Sequence, residues 1–131
     1  MPIKILVVED EADVAELLER MLGELGLRTV IAADATMADR LLTAEEVDAV
    51  TLDLGMPGRG GLAWLESIAA SRPELARRTL VITGMPLVSE SVERLASCGA
   101  GVLAKPFSRQ ALADAVRAQI AHDADPFHSR N

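Results

Sequence analysis

The sequence predicts an α/β protein with one parallel sheet covered by helices on both faces, and three observations predict it. Five short runs rich in Val, Ile and Leu recur along the 131 residues, and none alternates with polar residues, as strands covered on both faces require. Between them stand stretches in which apolar residues return every three or four positions, the spacing of a helix with one buried face. Strand and helix therefore alternate in a (βα)5 order, which right-handed crossovers turn into one doubly wound sheet.

The first run, residues 3–8, opens the chain as a buried strand. Val14, Leu17, Leu18, Met21, Leu22 and Leu25 then line one helical face, and Gly26 falls where a C-terminal cap belongs. The second strand is expected at 29–33, followed by a helix through Met37, Leu41 and Leu42. The third strand, 49–52, leads to a helix carrying Leu62, Leu65, Ile68 and Ala69. The fourth, 80–82, leads to Val88, Val92, Leu95 and Ala96, with Gly99 as the stop. The fifth strand, 102–104, precedes Ser108, a suitable N-cap for a last helix bearing Leu112, Val116 and Ile120. One domain over residues 1–121 is expected, with a polar, frayed tail at 122–131. Repeats, low-complexity tracts and linkers do not stand out.

Composition narrows the function. Lys and Arg number 13 against 20 Asp and Glu, a net charge of −7, and no window gathers enough cations to follow a phosphate backbone. Direct nucleic-acid binding is therefore not expected. The aromatic residues are Trp64, Phe107 and Phe127, so the core must be built from aliphatic side chains and Met. The lone Cys98 rules out a disulfide framework and fits a reducing cytoplasm. The apolar run before Glu9 is too short for a signal-peptide core or a membrane span.

Sites in open parallel sheets form at the carboxyl ends of the strands, so the residues that end each strand carry the information. Here they are Glu9-Asp10, Asp53, Thr83 and Lys105-Pro106. Singly, each has an ordinary reading: Asp10 as an N-cap, Glu9 as a solvated strand end, Asp53 as a turn former, Thr83 as strand-end chemistry, Lys105 as a surface cation. Together they place three carboxylates, a hydroxyl and an ammonium at one edge. Clustered carboxylates repel and raise one another's pKa unless a cation intervenes, and an all-oxygen set suits Mg²⁺. Lysine adds a point charge for a phosphate and threonine a hydrogen bond. These are the parts that phosphoryl transfer to a carboxylate needs.

The segments ILVVEDE, AVTLDLGMPGRGG, LVITG and LAKPF resemble, in order and at familiar intervals, the four signatures of response-regulator receiver domains, over residues 3 to 121. The resemblance implies a flavodoxin-like sheet of order 2-1-3-4-5 and a switch protein rather than an enzyme. In it Asp53 would accept a phosphoryl group from phosphohistidine on a histidine kinase or histidine phosphotransfer protein. It implies Mg²⁺ (or Mn²⁺) on Asp10, Asp53 and the backbone carbonyl of Gly55, with Glu9 acting through water. Thr83 and Lys105 would hold phosphoryl oxygens, and the Lys105–Pro106 bond would be cis. A downstream protein target and a phosphorylation-dependent homodimer belong to the same expectation, in a free-standing regulator or in the receiver of a hybrid kinase.

Departures and rival readings remain. Val102 stands where many receivers carry an inward-turning Tyr or Phe, and valine has no ring to swing. Signalling is then expected through Gly84-Met85-Pro86 and the face of the fourth helical segment, fifth strand and last helix. Gly55 neither guides nor blocks attacking water, and the last helix lacks the dense Arg/Lys pattern of receivers that feed winged-helix domains. Gly58-Arg59-Gly60-Gly61 lacks a following Gly-Lys-Ser/Thr and reads as a flexible turn. His122 and His128 read as solvated, Trp64 as packing and Cys98 as a small buried hydrophobe. A haloacid-dehalogenase-type phosphatase uses similar groups, but in the opposite motif order. A receiver-like scaffold that binds without phosphorylation uses the same fold.

Overall fold

The computed structural model describes residues 3–55 and 60–120. Its elements run β1 (Lys4–Val8), α1 (Ala12–Glu24), β2 (Arg28–Ala32), α2 (Ala35–Ala44), β3 (Ala49–Leu52), α3 (Gly61–Ser71), α4 (Pro73–Arg77), β4 (Thr79–Thr83), α5 (Ser89–Cys98), β5 (Gly101–Ala104) and α6 (Arg109–Gln119). The strands form one five-stranded sheet with every pairing parallel, as the hydrophobic pattern predicts, and in the order β2-β1-β3-β4-β5 that the family resemblance implies.

Successive strand residues point to opposite faces, so each strand feeds two cores. On one side Leu6, Val8, Val50, Leu52 and Val81 pack with Trp64 and Leu65 of α3 and Leu95 of α5. On the other, Ile5, Val7, Ala49, Leu80 and Ile82 pack with Leu18 and Leu22 of α1 and Leu112 and Val116 of α6. Full burial of each large aliphatic side chain is worth about 1.5–3 kcal/mol, which fixes the register of the central strands. The uniform two-sided covering expected from sequence holds for β3 and β4 and for most of β1. It fails at the edges: β2 and β5 are half-exposed, and Val102 faces solvent.

Helix ends follow their local chemistry. Gly26 takes a left-handed φ of 85° beyond α1, the Leu27 N–H reaches the Leu22 carbonyl at 3.1 Å, and the Gly26 N–H reaches that of Gly23 at 3.0 Å. Gly99 closes α5 in the same left-handed conformation. Ser108 caps α6 by accepting from the Ala111 N–H at 3.0 Å. Asp10, by contrast, is no cap: Glu11 holds the N-cap position of α1, with no side-chain bond there, which leaves Asp10 exposed beside the sheet edge.

The short α4 was absent from the sequence prediction, because five residues are too few to show a period; Pro73 starts it with a preset φ. Trp64 packs, fully buried, and also donates from Nε1 to Asp39 Oδ1 at 2.8 Å, joining α3 to α2. Arg94 of α5 grips Glu66 of α3 through two bonds, with Nε to Oε2 at 2.8 Å. At the far end of the sheet the Gln119 amide donates to the carbonyls of Arg77 at 2.6 Å and Gly99 at 2.7 Å. Residues 122–131, including His122, Phe127 and His128, lie outside the described residues, as do Met56, Pro57, Gly58 and Arg59.

Candidate functional site

Parallel pairing in register brings the ends of β1, β3, β4 and β5 to one edge. Asp53 directly follows β3 and is buried, and its Oδ1 accepts the Gly55 N–H at 3.1 Å. Glu9 follows β1 and is buried almost completely. Its Oε2 accepts the Glu11 N–H at 3.3 Å, and its Oε1 accepts from Lys105 Nζ at 3.1 Å. One carboxylate oxygen each from Glu9, Asp10 and Asp53 lies within 4.8 Å of the others.

Lys105 reaches this edge from the end of β5, where its N–H bonds the Thr83 carbonyl at 2.9 Å and its bond to Pro106 is cis. Besides Glu9, its ammonium stands 3.7 Å from Glu11 Oε1 and 3.9 Å from Asp53 Oδ2. Thr83 ends β4, buried, with its hydroxyl accepting the Met85 N–H at 3.1 Å. Glu9, Asp10, Asp53 and Lys105 are thus brought together, with Thr83 on the strand between β3 and β5.

The charges explain themselves. Burial pushes the Glu9 carboxyl from 4.5 up to about 7, the bonds from Lys105 and the Glu11 N–H oppose that, and Asp53 adds to it. For Lys105, burial opposes the charge, but bonding to Glu9 and the fields of Glu9, Asp53 and Glu11 outweigh it and raise the pKa. One ammonium against this many carboxylates leaves negative charge uncompensated. The donors are all oxygen, a set that fits a hard divalent cation such as Mg²⁺.

Sequence reasoning missed Gly61. A Cβ there would stand 2.8 Å from both the Asp53 carbonyl oxygen and the Leu54 Cα, so the start of α3 sits directly against the backbone that carries Asp53. The paired glycines ahead of a helix were the available signal, read as turn flexibility rather than close approach. Glu11 was also missed, as a third carboxylate near Lys105.

A family model of the response regulator receiver domain matches residues 5–117. The chain is 36% identical over 120 residues, 92% of its length, to the response regulator MprA of Mycolicibacterium vanbaalenii, and those residues are 51% of that protein. The chain spans about half the length of the curated relatives it matches. Among solved structures it resembles the signal receiver domain of an HD domain-containing protein from Pseudomonas fluorescens Pf-5, with TM-score 0.82 and 27% identity over 93% of this chain and 97% of that one. It also resembles a response regulator from Burkholderia pseudomallei solved with a phosphorylated aspartic acid, a calcium ion and citrate, with TM-score 0.75 and 27% identity over 87% and 66%. Fold and site define a signalling domain with an acidic, lysine-bearing edge. The chain belongs to the response-regulator receiver family. Among the described residues no helix is long and apolar enough to cross a membrane.

Proposed function

We propose that this domain, over residues 1–121, is a phosphorylation-dependent switch whose acceptor is Asp53. An Asp53 carboxylate oxygen attacks the phosphorus of phosphohistidine on a histidine kinase or histidine phosphotransfer protein. An O–P bond forms, the P–N bond breaks, and the imidazole nitrogen keeps the electron pair. Lys105 is charged and close enough to turn from Glu9 to a phosphoryl oxygen. Thr83 keeps its hydroxyl proton free to donate, since its oxygen is the acceptor for Met85. Asp10, Asp53 and the Gly55 carbonyl would hold Mg²⁺ or Mn²⁺, with Glu9 acting through water. The ion supplies charge neutralisation for the incoming phosphoryl group.

The observation that carries this reading is the cluster of Glu9, Asp10 and Asp53 at the carboxyl edge of the sheet, with Lys105 reaching Glu9 and Asp53 within it. The phosphorylated aspartic acid of the Burkholderia relative lends support by likeness. Output would pass through Gly84-Met85-Pro86 and the face of α5, β5 and α6 to a protein target or a second copy, in the cytoplasm. The solvent-facing Val102 on β5 suits a contact surface rather than a buried aromatic switch.

Incubation with acetyl phosphate and Mg²⁺, followed by intact mass, tests the reading. A phosphate-sized gain lost in Asp53→Asn and in the metal-free control is expected. Failure of acetyl phosphate, a histidine kinase and a phosphotransfer protein alike to load it would favour the scaffold.

A further inference from the structure

Glycine at position 55 leaves a small space beside the acceptor carboxylate. A Cβ there would lie 3.6 Å from Asp53 Oδ1 and 3.5 Å from the sulfur of Met85. The thioether and the carboxylate therefore flank the same space, in ordinary contact distance of it. Met85 is also held from below, by its N–H on the Thr83 hydroxyl at 3.1 Å. That bond is compatible with phosphorylation, because the hydroxyl still has its own proton to give to a phosphoryl oxygen. Yet the residue is 55% exposed, more than Met37 at 41% and far more than Met21 at 7%.

We propose that Met85 is a peroxide-sensitive cover over Asp53, and that oxidation of its sulfur shortens the life of the aspartyl phosphate. The inference rests on Asp53 being the phosphoacceptor. As a thioether, the side chain is apolar and only a weak hydrogen-bond acceptor, so it keeps water from ordering in the space beside Gly55. A hydroperoxide converts it to the sulfoxide. The S–O bond forms as the O–O bond breaks, sulfur loses two electrons to the peroxide, and water or an alcohol leaves with the proton. The sulfoxide is polar and a strong acceptor. It holds water against the acyl phosphate where the thioether excluded it, and hydrolysis speeds up. Among the described residues, Met85 is the side chain that borders this space opposite Asp53, because Gly55 carries none of its own.

The test loads the full chain with acetyl phosphate and Mg²⁺, removes the donor, and follows decay of the phosphorylated mass with and without prior hydrogen peroxide. Peptide mapping locates the added oxygen. The readout is the ratio of the two decay rates. The wild type is expected to show several-fold faster decay after oxidation, reversed by a methionine sulfoxide reductase. Met85→Leu, which retains Met37 and Met56 as oxidisable groups, is expected to give a ratio near one. Mapped sulfoxide at Met85 with unchanged decay overturns the proposal, as does equal acceleration in Met85→Leu. If the untreated protein never takes up phosphate from any donor, the phosphoacceptor reading falls first and this inference falls with it.

Discussion

Gly61 and Asp53 touch so closely that no β-carbon fits between them: it would lie 2.8 Å from the Asp53 carbonyl oxygen. The obstacle is backbone on both sides, so it cannot swing away as a flexible side chain would. Gly61→Ala is expected to cost about 1–3 kcal/mol and to displace the acceptor. Chemical denaturation measures the first, and the rate of phosphate uptake from acetyl phosphate measures the second. A variant with wild-type stability and uptake would refute the close approach.

The raised pKa of Glu9 makes stability depend on pH. Folded Glu9 titrates near 7 and its ordinary value is 4.5, so between these the folded state holds more protons than the unfolded chain. The stabilisation is complete below 4.5 and is lost as pH rises through 7, amounting to about 3 kcal/mol at most. Thermal denaturation of metal-free protein should show this loss between pH 5 and pH 8, and Glu9→Gln should lack it. Saturating Mg²⁺, which favours the ionised carboxylate, should restore stability at the alkaline end. An identical pH slope in Glu9→Gln would assign the effect elsewhere.

Thr51 offers a stabilising substitution. It sits in β3 between Val7 and Leu80, 1% exposed, and its hydroxyl oxygen has no hydrogen-bond partner. Thr51→Val keeps the shape and removes a dehydrated polar group, which should gain about 1 kcal/mol and raise Tm by a few degrees. Calorimetry checks it, and a lower Tm would show that the hydroxyl is satisfied in solution.

Cys98 should be inert in the native protein. Burial foremost, with the field of Glu66 added, pushes its thiol up, and Arg94 opposes this. Little thiolate is then present at neutral pH. Reaction with an aromatic disulfide reagent should be slow in buffer and rapid in denaturant. Fast native labelling would show that α5 opens at its C-terminal end.

Much of this was legible in the sequence, for physical reasons. Runs such as ILVV and LVIT suit strands covered on both faces, and residues that end parallel strands meet at one edge. That is how Glu9, Asp10, Asp53, Thr83 and Lys105 stand out together, with their roles implied by the family resemblance. What escaped depends on contacts between distant segments or on too few residues. The α4 turn shows no period in five residues. The exposure of Val102 follows from β5 lying at an edge, which its apolar sequence conceals. The depth of Glu9, the approach of Gly61 to Asp53 and the placing of Met85 beside Gly55 exist only once loops from different strands meet.

The amide of Gln119 spends both its protons on carbonyls at the ends of two other helices, at the edge of the sheet remote from Asp53. One nitrogen thereby serves as a common pivot for α4, α5 and α6. A torque applied to the chain beyond Ile120 would be felt at once where α5 ends and β5 begins, and so along the strand that delivers Lys105. Mechanically, one amide ties the last helix to the starts of both β4 and β5, the strands that deliver Thr83 and Lys105 to the opposite edge.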